Sequence, residues 1–362
     1  MKVVAVVGAR PNFVKIAPIL AELREYPYFS TCLVHTGQHY DAQMSDSFFA
    51  NLDIPRPDVN LNVKSVGAVG QMAEIMTRFE SVLTSRRPDM VLVVGDVTST
   101  LAAALPAVKV GCPVAHVEAG LRSFDRTMPE EVNRILTDAI SDLLFTTEPT
   151  AQENLAREGI PAQRIHFVGN VMIDTLFRYR ERARESGVLE RLGLEAGAYA
   201  TLTLHRPSNV DDEGTLGMLL EAVGRIQAEI PVVFPVHPRT RRHLEALAPV
   251  LPVMPGLRLV DPLPYLDFLQ LMANARCVLT DSGGIQEETT ALRIPCLTLR
   301  HNTERPITVT RGSNRIVGTD QDAIYESWRM VAEGRWPVGE LPELWDGKTA
   351  GRIVRVLLGV GR

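Results

Sequence analysis

The chain has 362 residues, 45% of them hydrophobic and 22% charged, with a formal net charge of −5. That length holds one or two domains with ample core, and the composition is that of an ordinary globular protein. The acidic balance and the lack of a basic stripe argue against nucleic acid or an anionic membrane surface as partner, and no apolar run approaches the ~20 residues a membrane span needs. The opening MKVVAVVGARPN carries too short an apolar stretch for a secretory signal and reads as a strand, so a cytoplasmic enzyme is expected. Cys32, Cys112, Cys277 and Cys296 lie in or beside apolar runs and form no CxxC pair. Buried thiols in a reducing compartment fit that pattern better than disulfides or zinc.

In chain order, the first half predicts strands over residues 3–7, 32–35, 90–94, 114–117 and about 143–146, with helices at 13–25, 68–85 and 101–110 between them. A charged stretch over 178–191 reads as a solvated helix between the halves. The second half predicts strands over 200–204, 232–235, 257–260, 277–280 and 296–299, with helices at 213–228, 265–275, 285–292 and 320–332. Such alternation argues for a parallel sheet in each half. The expected division is 1–170 and 171–346. A last helix within 347–362 is grouped with the first domain, although its sequence suits either one.

Polar residues recur where strands end. Gly8 and Arg10 follow the first strand, Gly95 and Asp96 another, and Glu118 a third. In the second half His205-Arg206, His237 and Asp281-Ser282 stand in the same place. Any one of these is explained equally well as a cap or turn. Their recurrence in both halves suits open α/β sheets, which bind ligands beyond the carboxyl ends of their strands. Two such sheets facing each other would gather these groups in one cleft.

The segment TDSGGIQEETTALRIPCLTLR carries the sharpest signal. Gly283 and Gly284, between a strand and a helix expected from about 285, allow close backbone approach to a ligand. The new helix aims its unpaired amides at the same spot. Glu288 lies four residues after Gly284, on the same helix face. Amides for phosphate and a carboxylate one turn deeper suit a nucleotide; the alternative is an ordinary N-cap. Arg10 suits bidentate phosphate contact, and Lys15 is either a second positive group or a surface lysine. Gly8–Pro11 is not GxGxxG and no acid is placed to hold a ribose, which disfavours a nicotinamide cofactor.

Asp96, Glu118 and Glu130 are the candidate acid/base carboxylates. The first two follow apolar runs, and partial burial would raise their pKa towards neutrality. Glu130 opens a helix, where an acid also simply complements the dipole. His205 is either a proton carrier or a satisfied strand-end histidine. There is no HExxH or Cys/His cluster to suggest a metal, no GxSxG elbow and no P-loop.

Ten segments resemble, in order, the non-hydrolysing UDP-N-acetylglucosamine 2-epimerases over about residues 1–320: GARPNFVKIAPIL, TGQHYD, GDVTSTLAAA, HVEAGLRS, MPEEVNRILTD, VGNVMIDTL, TLHRPSN, DPLPYLDFLQLM, TDSGGIQEE and NTERP. The resemblance implies an α/β fold of two Rossmann-like doubly wound domains facing across a cleft, the GT-B type, with UDP bound by the second. It implies reversible interconversion of UDP-N-acetylglucosamine and UDP-N-acetylmannosamine by UDP elimination and re-addition through a glycal. It further implies a homodimer that needs no cofactor. Carried over by position, Asp96, Glu118, Glu130 and His205 match catalytic residues. Arg10, Lys15, Phe268, Ser282, Gly283, Gly284, Glu288 and Arg305 match substrate-binding residues, and Arg206, beside His205, joins them. Phe268 and Arg305 come from the resemblance alone.

Two departures qualify it. The opening GARPN differs from the commoner GTRPE, and the family's allosteric pattern is kept at Gln38, Gln71, Arg206 and His237 but not at Asp41 and Gly70. Allosteric activation is therefore not expected, and a uronic-acid or diacetamido sugar becomes an alternative substrate. A hydrolysing epimerase releasing N-acetylmannosamine and UDP, a GT-B glycosyltransferase and a non-catalytic sensor are the other readings; three carboxylates argue against the last.

Overall fold

Short unbroken runs of valine, leucine and alanine build both sheets. The structure, a computed structural model, describes residues 1–37, 52–65, 67–247 and 253–360, without the side chains of Arg10, Pro238 and Arg239. The chain divides into two units, Met1–Arg178 with Glu343–Arg362, and Tyr179–Pro342.

The first unit holds β1 (Lys2–Val7), β2 (Ser30–His35), β3 (Val59–Asn60), β4 (Met90–Val94), β5 (Val114–Ala119), β6 (Leu143–Thr146) and β7 (Ile165–Phe167). They form one parallel sheet in the order β3-β2-β1-β4-β5-β6-β7. Residues of β4 and β5 are buried throughout, as expected of strands covered on both faces. Helices Ala68–Arg86, Thr98–Lys109 and Pro129–Ile140 pack beside one another, and Arg10–Arg24 packs with Thr349–Val360. The core between the sheet and the first group includes Val4, Val6, Phe79, Val91 and Val93. Burying each such side chain contributes about 1.5–3 kcal/mol.

The second unit holds β8 (Ala200–Thr203), β9 (Val232–Pro235), β10 (Leu257–Val260), β11 (Cys277–Thr280), β12 (Cys296–Thr298) and β13 (Asn314–Ile316), ordered β10-β9-β8-β11-β12-β13. Leu202, Leu220, Phe234, Leu279 and Trp328 lie in its core. Both sheets reverse their winding once, between β1 and β4 and between β8 and β11. This is the doubly wound Rossmann order, and the reversal opens a crevice at the strands' carboxyl ends.

The last helix belongs to the first unit. Ile353, Val354 and Leu357 are buried. Its start is capped from another helix, because the Asp174 carboxylate accepts the amides of Thr349 (3.1 Å) and Ala350 (2.7 Å). Trp345 Nε1 donates to the Thr147 carbonyl at 3.0 Å.

Several helices begin earlier than periodicity indicated, at Arg10, Thr98 and Gly283. Their first turns are polar or glycine and carry no apolar repeat. The charged stretch over 178–191 is not one helix but parts of two, Val171–Arg184 and Val188–Arg191, broken over 185–187 where Gly187 has φ +64°. Among the described residues no helix is long and apolar enough to cross a membrane.

Candidate active site

In the first unit, the turn after β1 is stitched to β4 by Asn12. Its side-chain oxygen accepts the amides of Gly8 and Ala9, both at 3.0 Å, and its nitrogen donates to the Val94 carbonyl at 2.9 Å. The helix Arg10–Arg24 then presents Lys15, which is 4% exposed and not a surface lysine. Its Nζ lies 2.6 Å from Oε2 of Glu118, itself 2% exposed. The Arg10 side chain falls outside the described residues.

Glu118 occupies a bulge. Pairing of β5 with β6 shifts register between Val117 and Ala119, and the residue between them has φ +74°. A non-glycine residue held there costs of order 1–3 kcal/mol and persists where the surroundings enforce it. Bulges re-aim a side chain, and here the re-aimed group is a buried carboxylate facing an ammonium.

Asp96, two residues beyond β4, is anchored by the helix Pro129–Ile140. Arg134 pairs with its carboxylate, and Asn133 Nδ2 donates to its carbonyl at 2.8 Å. The expectation of carboxylates perturbed by burial alone therefore omitted a cation partner for each. Glu130 and Glu131 share the first turn of that helix but differ in use. Glu131 is 1% exposed and accepts the amides of Ser123 and Phe124, both at 2.9 Å, and Arg134 Nη2 at 2.7 Å. Burial would raise its pKa; those donors outweigh burial and lower it. Glu130 is half-buried.

In the second unit, Asp281 is the hub of the reversal between β8 and β11. Fully buried, it accepts the backbone amides of His205 (3.0 Å) and Arg206 (2.9 Å), and lies 2.7 Å from His205 Nδ1. Burial pushes its carboxyl up, but the His205 hydrogen bond and charge, with the two amides, hold it below the usual range. The His205 side chain is 55% exposed, so a buried acid orients an accessible imidazole.

Ser282 caps the helix Gly283–Leu292 without a side-chain hydrogen bond. Both glycines fall in its first turn, not before it, so their amides are among the unpaired donors. A Cβ at Gly283 would sit 2.4 Å from an Arg305 guanidinium nitrogen and 2.6 Å from Glu304 Oε1, so a larger residue there would have to displace that ion pair. Glu304, 2% exposed, meets Arg300 (2.9 Å), Arg206 (3.4 Å) and Arg305. Arg305 also pairs with Glu287 at 2.9 Å. Three guanidiniums, those of Arg206, Arg300 and Arg305, gather beside the helix tip, and Arg300 Nη1 is buried without a hydrogen-bond partner. Both features favour an anion.

One turn deeper, Glu288 is 4% exposed and accepts the Tyr265 hydroxyl at 3.0 Å. Burial pushes its carboxyl up to about 7; the Tyr265 bond opposes this and the Glu287 charge adds to it. Phe268, half-buried, lies on the same helix as Tyr265 (Tyr265–Ala273). The raised value has a stability consequence. Below about pH 4.5 the folded and unfolded states both hold the proton. From there to about 7 only the folded state holds it, so stability falls as pH rises, by about 3 kcal/mol in all, and then levels off. Glu288→Gln should remove that fall. Denaturation midpoints at pH 5 and pH 8 check it: parallel wild-type and variant curves would refute it.

Within the first unit, then, the expected residues Lys15, Asp96 and Glu118 stand at the ends of β4 and β5, and Glu130 lies one turn before Arg134 on the helix that holds Asp96. Within the second, His205, Arg206, Ser282, Gly283, Gly284 and Arg305 surround β8 and β11, with Glu288 and Phe268 beyond. Sequence reasoning missed Asn12 as a stitch, Asn133, Arg134, Tyr265, Glu287, Arg300 and Glu304. Of the allosteric positions, Gln38 and Asp41 lie outside the described residues.

Comparison with known proteins adds independent weight. A UDP-N-acetylglucosamine 2-epimerase family model matches residues 21–358. The chain is 40% identical to a UDP-N-acetylglucosamine 2-epimerase of Methanocaldococcus jannaschii, covering 99% of both proteins. It is 43% identical to the UDP-2,3-diacetamido-2,3-dideoxy-D-glucuronate 2-epimerase of Pseudomonas aeruginosa, covering 91% of this chain and 92% of that protein. Among solved structures, the M. jannaschii UDP-GlcNAc 2-epimerase in complex with UDP-GlcNAc and UDP superposes with a TM-score of 0.92 at 39% identity, covering 99% of this chain and 100% of that one. The chain belongs to the UDP-N-acetylglucosamine 2-epimerase family.

Proposed function

We propose that the protein interconverts UDP-N-acetylglucosamine and UDP-N-acetylmannosamine without net hydrolysis. The observation that carries this reading is the pair of fixed carboxylates, Asp96 and Glu118, at the ends of adjacent strands, each held by its own cation. Inversion at carbon 2 requires one proton to leave and another to arrive on the opposite face, which suits two rigid acid/base groups.

The hydrogen at carbon 2 is not acidic, because no carbonyl flanks it. The bond from carbon 1 to the UDP oxygen therefore breaks with the electron pair leaving on UDP, and positive charge develops on the ring. Carbon 2 gives its proton to a carboxylate, and the resulting double bond makes the glycal. Proton return to the other face and attack of UDP on carbon 1 complete the exchange, with atoms and charge balanced. Asp96, Glu118 and Glu130 would handle the protons and the ring charge. Arg10, Lys15, Arg206, Arg305 and the amides of Ser282, Gly283 and Gly284 would stabilise departing UDP. His205 would protonate or orient it, and Glu288 and Phe268 would hold the nucleoside. Donors preorganised in this way are worth about 3–4 kcal/mol each.

The 43% identity to the P. aeruginosa enzyme favours a second reading, the same chemistry on a diacetamido uronic sugar. One experiment separates them: proton NMR of each UDP-sugar with enzyme in deuterated water. Deuterium entering carbon 2 together with the epimeric product identifies the substrate. Stoichiometric free UDP and N-acetylmannosamine would replace the proposal with the hydrolysing reaction, and an unlabelled donor would remove epimerisation altogether.

A further inference from the structure

Helix Pro129–Ile140 carries Glu130, Arg134 and Asp138 at four-residue steps, on one face. Arg134 and Asp138 are buried, at 1% and 0% exposure. Arg134 holds the Asp96 carboxylate. Asp138 uses both its oxygens. Oδ1 lies 2.6 Å from Nδ1 of His116; Oδ2 accepts the Gly120 amide at 3.0 Å and lies 2.7 Å from Arg122 Nη2. Burial would raise the Asp138 pKa, but the charges and hydrogen bonds of His116 and Arg122 outweigh it and lower it.

His116 stands in β5, wholly buried, with Nε2 2.8 Å from the Gly95 carbonyl. A carbonyl can only accept, so Nε2 carries a hydrogen. The two backbone anchors are telling. Gly95 immediately precedes Asp96, and Gly120 stands two residues after Glu118. Gly120 has φ +81°, and a Cβ there would lie 2.4 Å from the Ala151 carbonyl oxygen, so this point of the backbone requires glycine.

A buried ionic network is weak support for stability, since well-packed apolar side chains often serve as well. Its value here is geometric. We infer that His116 and Asp138 form a latch that sets the positions of Asp96 and Glu118 relative to Glu130, so that both are positioning residues for the reaction. The inference rests on the epimerisation proposed above. Misplacing a reacting group by about 1 Å costs on the order of 100-fold in rate.

Three full-length variants test it. In His116→Asn the amide nitrogen reaches Asp138 but not Gly95; in His116→Gln it reaches Gly95; Asp138→Asn weakens both anchors. We expect kcat to fall on the order of 100-fold in His116→Asn and Asp138→Asn, and about 10-fold in His116→Gln, with KM within about twofold of wild type. Hydrogen exchange at the Gly120 amide should quicken in Asp138→Asn while peptides of the second unit stay unchanged. Wild-type kcat in both asparagine variants would overturn the latch, as would kcat and KM changing together with a collapsed unfolding midpoint, or variants that do not fold. If wild type releases free UDP instead of epimerising, the reaction assignment fails, and the variants' rates for that hydrolysis still decide the latch.

Discussion

Glu118→Gln is expected to lower turnover by about 10²–10⁴-fold, the range for loss of a general acid or base, and at the same time to destabilise the first unit. Lys15 is 4% exposed and its ammonium would lose the carboxylate 2.6 Å away. Removing one partner of a buried pair costs about 3–5 kcal/mol, because the other charge stays buried. The two effects can be separated. In the double variant Lys15→Met with Glu118→Leu the stranded charge is gone, so most of the stability should return while turnover stays lost. Urea midpoints and the deuterium-exchange assay read the two quantities. A Glu118→Gln enzyme with wild-type turnover would remove Glu118 from the reaction, and a double variant no more stable than the single would deny that the Lys15 charge is the cause.

Glu304→Gln should destabilise the second unit by a similar amount, about 3–5 kcal/mol, since Arg300 and Arg305 are both buried and share that carboxylate. Burial alone would raise the Glu304 pKa, but Arg305, Arg300 and Arg206 outweigh it and hold the group far below the usual carboxylate range. By linkage, its contribution is fully present above the ordinary value near 4.5 and is lost as pH falls towards the folded value. The variant should therefore lack part of the wild-type loss of stability in acid. It also removes one negative charge from beside the helix tip, so saturating UDP should raise its melting temperature more than it raises that of wild type. An equal or smaller UDP shift would show that the arginine cluster does not face the diphosphate.

Strand interiors were legible because both of their faces are covered, so they appear as unbroken apolar runs. β3, β7 and β13 were not. Each is a two- or three-residue edge with partly exposed positions, and such strands leave no run to read. The site was legible wherever a polar residue closed a strand: Asp96, Glu118, His205 and Asp281 all stand there. Lys15 stayed ambiguous because its burial depends on Glu118, far along the chain. The left-handed backbone of Glu118 has no signature in a glutamate. The face formed by Glu130, Arg134 and Asp138 could have been counted from the sequence. Acids and bases on an amphipathic helix usually face water, however, and only the sheet packed against this one shows that these do not.

Asp174 caps a helix 175 residues further on. The first unit's opening strand is therefore made before the second unit, yet its closing helix emerges only after the entire second unit has been synthesised. Nascent residues 1–178 must leave the ribosome with the docking face of Arg10–Arg24 uncovered, and the intervening unit has time to fold before that surface is sealed.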